Sequence, residues 1–282
     1  MISLFFELTK FRLSLAVTLS AGFTYILAGG ANIAVMISII LAVLLLALGV
    51  SALNQYQERE ADAKMARTKN RPIPSGRIEP YSVLILSMVL IVAASIIIYT
   101  KLAYLGLLLF LFVPLWYNGL YTYLKRRTAF AVVPGGLLGV IPPAIGWLAA
   151  GRTLQEPEFL ALAMLFFVWQ VPHFWLLMVK YDKDYREAGF PTILEVFGEE
   201  GFRIVLFVWW MLTIFCALFV MAMFGVKTMI VSTILLIMFI FSIFNGTRLL
   251  FESLTKAQAS TLFHKINFFL LGIIMLLSVD GV

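Results

Sequence analysis

Three oxygen-bearing side chains, Asn54, Glu58 and Asp62, recur every four residues. On a helix that spacing places them on one face, with their oxygens aimed at a common point. Rigid oxygen ligands suit Mg2+, which usually bridges carboxylates to substrate phosphates and seldom fills an all-protein cage. The expected catalytic and metal-binding set therefore begins with Asn54, Glu58 and Asp62. Cations follow at once, in Lys64 and then in Arg67-Thr-Lys-Asn-Arg71-Pro-Ile-Pro-Ser-Gly76. The planar forks of Arg67 and Arg71 match phosphate oxygens. A second polar stretch, Lys180-Tyr-Asp182-Lys183-Asp184-Tyr185-Arg186-Glu187-Ala-Gly189-Phe-Pro191, repeats the mixture of acids and bases. Two acidic loops facing one cavity would provide two metal sites and hold a diphosphate between them.

The elements that must position these loops are apolar. The chain has 62% hydrophobic and 13% charged residues and a mean hydropathy of +0.99. Its apolar runs reach the roughly 20 residues that a bilayer span requires. The fold class predicted is all-α: a polytopic membrane protein with nine transmembrane helices around a central cavity that opens to a cytoplasmic polar cap. The spans are expected at 13–31, 33–53, 80–100, 102–122, 129–150, 158–179, 203–224, 228–247 and 262–279. Helices satisfy their own backbone groups in hydrocarbon, and the alternation of a transmembrane barrel is absent from the sequence. One domain, 1–282, is expected. The four spans between the two polar loops suggest a pseudo-repeat of four-helix halves, 1–125 and 126–250, followed by a ninth helix.

Charge predicts the orientation. With nine spans and a cytoplasmic N-terminus, every one of the 21 Lys and Arg residues except Lys101, Arg152 and Lys227 falls on the inner side, as the positive-inside rule requires. The chain is expected in the cell (inner) membrane, with the N-terminus and polar loops cytoplasmic, the C-terminus opposite, and no cleavable signal peptide. Its net charge of +6 then reflects topology and contact with anionic membrane lipid, and no nucleic-acid partner is predicted.

Other residues divide between chemistry and packing. His173 lies within the sixth span beside Pro172, where an ionisable group is costly and becomes a functional candidate, although a hydrogen-bonded packing histidine fits the same position. Lys125 to Arg127 fit either a solvated topology signal or the site. His264 is expected at the interface. Cys216, the single cysteine, reads as a packing residue. Gly135, Gly136 and Gly139, with Pro142 and Pro143, predict close helix packing and a kink.

The Asn-x3-Glu-x3-Asp face, Arg-Thr-x2-Arg-Pro and the second acidic loop resemble the UbiA superfamily of intramembrane prenyltransferases. Lys10-Phe-Arg12-Leu-Ser, Asn54-Gln-Tyr, Tyr121-Thr-x2-Leu-Lys125-Arg126-x-Thr128, Gly146-Trp147, Trp169-Gln-Val-Pro172-His173-Phe174-Trp175 and Asp184-Tyr185-x2-Ala-Gly189-x-Pro191 are similar to its protohaem IX farnesyltransferase (haem O synthase) branch. The resemblance adds Asp184 to the catalytic and metal set and leaves open whether Asp182 joins it, since residues two apart do not share a helix face. It also places Lys125, Arg126, His173 and Tyr185 beside Arg67 and Arg71 as substrate contacts, His173 toward the haem. Members of the branch usually carry Asp where Glu58 and Glu60 stand, and Pro where Phe11 stands.

That resemblance implies Mg2+-dependent transfer of a farnesyl group from farnesyl diphosphate to a vinyl group of protohaem IX, giving haem O. It implies an isoprenoid diphosphate and haem as partners, with a haem A synthase or terminal oxidase downstream. A superfamily member acting on a quinone precursor or a glycerol-phosphate lipid is the alternative. A transporter is the third class, opposed by the clustering of acids on one side with no comparable charge at span centres.

Overall fold

The computed structural model describes residues 2–281, and every regular element among them is helical. In chain order the α-helices are α1 (Ile2–Leu8), α2 (Phe11–Leu27), α3 (Ile33–Lys64), α4 (Pro80–Pro114), α5 (Thr122–Leu124), α6 (Val132–Gly135), α7 (Ile141–Ala149), α8 (Pro157–Lys180), α9 (Asp182–Glu187), α10 (Ile193–Phe224), α11 (Met229–Arg248) and α12 (Lys256–Gly281). A π-helix, Leu115–Tyr121, joins α4 to α5, and 3-10 turns flank α6.

Seven helical stretches are long and apolar enough to cross a membrane, and α2, at 17 residues, is a shorter apolar helix beside them. One of the seven, Pro80–Leu124, has 45 residues; at 1.5 Å per residue it would run roughly 70 Å, more than twice the hydrocarbon thickness of about 30 Å. It is not one straight rod. Ala103 adopts φ 47°, ψ −139°, a positive φ that costs a residue with a Cβ, and the spans expected at 80–100 and 102–122 lie on either side of that break. The expected span 129–150 is likewise made of short pieces, 3-10 and α, around Pro134, Pro142 and Pro143.

Local sequence sets the other ends. Pro80 and Pro157 open α4 and α8, where a missing N–H costs nothing. Asn32 Oδ1 accepts from the Ala34 and Val35 amides at 2.9 and 3.2 Å, the Thr192 amide donates to Glu195 Oε2 at 2.9 Å at the start of α10, and Asp280 accepts from the Thr228 amide and hydroxyl, joining α11 to α12.

Large apolar residues on α4 and α11, among them Ile85, Val92, Ile96, Ile230, Ile237 and Phe241, are exposed, as lipid-facing surface must be. The interior forms two main clusters. Ile39, Val43, Leu46, Ile91, Ile98 and Phe110 join α3 to α4, while Trp147, Leu165, Trp175, Phe202, Trp210 and Ile273 join α7, α8, α10 and α12. The α2–α7 approach is close enough to exclude a side chain, because a Cβ on Gly146 would lie 2.2 Å from the Ala21 carbonyl oxygen. Helix α3 has 32 residues, about 48 Å. That exceeds the hydrocarbon core of about 30 Å, and its charged residues, Glu58 to Lys64, all lie in its C-terminal turns.

Candidate functional site

Asn54, Glu58 and Asp62 share one face of α3, as their spacing predicts, and all three are buried. Each is met by a cation from a different part of the chain. Lys10 Nζ donates to Asn54 Oδ1 at 3.2 Å, while Asn54 Nδ2 donates to Thr122 Oγ1 at 3.3 Å. Lys125 Nζ lies 2.5 Å from Glu58 Oε1, a close ion pair. Arg71 Nη1 donates to Asp62 Oδ2 at 2.6 Å. The inner oxygen, Asp62 Oδ1, is buried without a hydrogen-bond partner among the described residues.

The loop after α3 folds back because Thr68 Oγ1 donates to the Asp62 carbonyl at 2.9 Å and the Arg71 amide donates to the Thr68 carbonyl at 2.9 Å. Arg71 is thereby returned to the helix face it neutralises. Arg67 goes elsewhere. Its guanidinium sits over the Tyr181 ring, 4.7 Å from the centroid, a cation–π contact that brings the first polar loop against the second. In α9, Arg186 Nε lies 2.8 Å from Asp182 Oδ2 as an ion pair, with Asp182 Oδ1 buried and without a hydrogen-bond partner among the described residues. Asp184 is half-buried. Tyr185 packs edge-on against Phe190, 5.9 Å between centroids.

The electrostatics follow from this crowding. Burial pushes the Lys10 ammonium down to about 7, and the nearby Arg71 cation pushes the same way against the weaker pull of Glu58. Burial also works against charge on Lys125, but the Glu58 carboxylate and the Tyr121 hydroxyl outweigh it, so that its pKa lies above the usual lysine value. Lys125 is thus the firmly charged member of the pair. Arg126 faces away from the acids: its Nη2 donates to the Gln57 carbonyl at 3.2 Å, and it lines a groove of about 420 Å3 with Tyr56, Gln57, Glu60, Tyr123 and Phe190.

His173 lies apart, on α8. It stands seven positions before Lys180, the last residue of α8, about 10 Å at helical rise. Its Nδ1 is 2.7 Å from Asn267 Oδ1 of α12, and the ring is enclosed by Trp169 and Phe263, each 4.7 Å between centroids, and by the edge of Phe174 at 5.1 Å.

Sequence reasoning passed over Lys10, Thr68, Asn118, Thr122 and Asn267 as contributors. Lys10 stood in the quoted Lys-Phe-Arg element, and its φ of 49° turns the chain between α1 and α2. Asn118 lies in the π-helix and exchanges hydrogen bonds with Gln57, at 2.9 Å to the side-chain oxygen and 3.0 Å from its own carbonyl. A proline at the end of a long apolar helix, Pro114, was the available signal, since π-helical turns gather at functional sites.

The donor chemistry fits a hard divalent cation in part. Asn54 Oδ1, the Glu58 carboxylate and the unbonded Asp62 Oδ1 are oxygen ligands of the kind Mg2+ takes. Among the described residues, however, no three His, Cys, Asp or Glu side chains converge as a cage. Ligands from a substrate would have to complete such a site.

Residues 15–272 match the UbiA prenyltransferase family. A protoheme IX farnesyltransferase of Oleidesulfovibrio alaskensis is 39% identical over 185 residues, 66% of this chain and 66% of that protein. One from Bartonella henselae is 38% identical over 206 residues, 71% of this chain and 66% of its own length, and one from Nitratidesulfovibrio vulgaris is 39% identical over 169 residues, or 60% and 59%. The match thus spans slightly under two thirds of these relatives. Among solved structures, a digeranylgeranylglyceryl phosphate synthase superposes with a TM-score of 0.78 at 14% identity, covering 99% of this chain and 98% of that one. A UbiA homolog from Archaeoglobus fulgidus bound to GPP and Mg2+ gives 0.62 at 12% identity, covering 98% and 99%. At such identities these structures establish the fold, and the family match establishes that this chain belongs to the UbiA prenyltransferase family.

Proposed function

We propose that this protein transfers a farnesyl group from farnesyl diphosphate to a vinyl group of protohaem IX, forming haem O. The observation that carries the prenyl-diphosphate part is the buried acid face of α3 facing three cations, Lys10, Arg71 and Lys125, from three separate segments. The haem part is supported by the naming of the relatives and by a histidine held in an aromatic enclosure on α8.

In this reading Asn54, Glu58 and Asp62 of α3, and Asp184 with Asp182 of α9, would hold Mg2+, which when bound would neutralise the leaving diphosphate. Arg71 and Lys125 lie against the carboxylates and would turn to phosphate oxygens; Arg67, Arg126 and Tyr185, which now face Tyr181, the Gln57 carbonyl and Phe190, would have to turn inward to join them. The allylic C–O bond breaks with both electrons leaving on the diphosphate. The vinyl π electrons form the new C–C bond, and the cation left beside the porphyrin takes up water and loses a proton, giving the hydroxyalkyl product. Apolar walls keep other water from quenching the allylic cation.

We also infer a single domain over 1–282, built of two four-helix halves and a ninth helix, with nine crossings made by counting α2 and the two arms on either side of Ala103. The N-terminus and both polar loops then lie on the cytoplasmic face of the cell membrane.

The test is incubation of the detergent-solubilised protein with Mg2+, farnesyl diphosphate and protohaem, followed by haem chromatography and mass measurement. A later-eluting haem heavier by one farnesyl group and one hydroxyl group is expected. Protohaem recovered unchanged, with farnesyl appearing on a hydroxybenzoate or glycerol-phosphate acceptor, would refute the haem reading.

A further inference from the structure

His173 is held by a side chain that the reading above leaves without a role. Asn267 sets its Oδ1 2.7 Å from His173 Nδ1. With the Asn267 amide oriented this way its carbonyl oxygen accepts, so Nδ1 carries the proton and the neutral ring keeps its lone pair on Nε2. The pair cannot easily rearrange. Trp169 and Phe263 lie 4.7 Å from the imidazole centroid, and one turn before His173 the Trp169 indole N–H donates to the Ile266 carbonyl at 3.2 Å. That second bond fixes α12 against α8 next to Asn267. His173 is itself half-buried, so the enclosure is not sealed.

We propose that Asn267 is a positioning residue that locks His173 in its Nδ1–H tautomer and presents Nε2 as a lone-pair donor to the iron of the porphyrin acceptor. This rests on the haem reading and deepens it by choosing the substrate atom. A propionate would require a donor at Nε2, and this tautomer has none; an iron centre requires a lone pair, which it has. A hydrogen bond to the far nitrogen orients metal-binding histidines and raises their basicity, and loss of such a partner commonly weakens metal affinity 10- to 100-fold.

The experiment titrates haem into the full detergent-solubilised chain, reading Soret position and affinity, with farnesyl diphosphate binding measured in parallel. Asn267→Leu should weaken haem binding at least about tenfold and move the Soret band toward that of His173→Ala. Asn267→Asp, which keeps an acceptor at the same reach, should retain haem affinity close to wild type, and diphosphate affinity should be equal in all variants. Asn267→Ala carries the same expectation as the leucine variant should that one fail to fold. Wild-type haem affinity and spectrum in Asn267→Leu or His173→Ala would overturn the proposal while leaving the haem reading standing. So would equal losses in the Leu and Asp variants, or a parallel loss of diphosphate binding, which marks a purely structural residue. Absence of haem binding by the wild type would overturn both.

Discussion

Replacing Arg71 by alanine should damage this protein twice, and the two effects can be measured apart. Asp62 is 1% exposed, and Arg71 Nη1 lies 2.6 Å from its Oδ2 with the Arg71 side chain only 17% exposed. Its other oxygen has no hydrogen-bond partner among the described residues, so removal of Arg71 strands a carboxylate that little else nearby can satisfy. Removing one member of a buried pair typically costs about 3–5 kcal/mol. For a chain of this size each kcal/mol moves the melting midpoint by roughly 2–4 °C, so a drop on the order of 10 °C is expected in detergent. Arg71→Lys keeps the charge and should recover much of that midpoint, yet it loses the two-pronged geometry for phosphate, so farnesyl diphosphate should still bind more weakly. The assay is a thermal melt of the three proteins paired with a diphosphate-donor titration. A wild-type midpoint in Arg71→Ala would refute the buried pair, and wild-type donor affinity in Arg71→Lys would show the guanidinium to be a topology charge only.

Asp62→Ala should lower turnover at least about a hundredfold, about 2.7 kcal/mol, and full wild-type turnover in excess chelator would remove Mg2+ from the reaction. Gly146→Ala puts a Cβ 2.2 Å from the backbone oxygen of Ala21, so overpacking of about 1–3 kcal/mol should show as a lower melting midpoint; an unchanged midpoint would mean that α2 and α7 separate without cost.

The apolar runs announced the helices, and the period of four announced the acid face, because both are local properties of the chain. What periodicity cannot supply is a partner. Nothing near Asn54 points to Lys10, 44 residues away, and nothing in the last apolar run singles out Asn267 as the acceptor for a histidine 94 residues before it. Helix breaks were legible where proline and glycine marked them, as between Val132 and Pro143. At Ala103 no such breaker stands, and Lys101 alone hinted at the division. The second polar loop shows the reverse difficulty. Its charges stood out in the sequence, but α9 uses part of them on itself, with Asp182 paired to Arg186 four residues on.

The cations at the acid face explain how so polar a site can persist at the end of an apolar bundle. Unpaired, the buried oxygens of Glu58 and Asp62 would repel one another and resist desolvation. Paired to Lys125 and Arg71 they are stable before any substrate arrives. In the proposed reaction a metal-bound diphosphate would bring its own compensation, the carboxylates holding the metal while Lys125 and Arg71 turn to phosphate oxygens. The charges of site and ligand then change partners without any of them being left unpaired in a low-dielectric setting. Glu58 brings its Oε1 to 2.5 Å from Lys125 Nζ while its Cα stays in register with Asn54 and Asp62 on one face of α3.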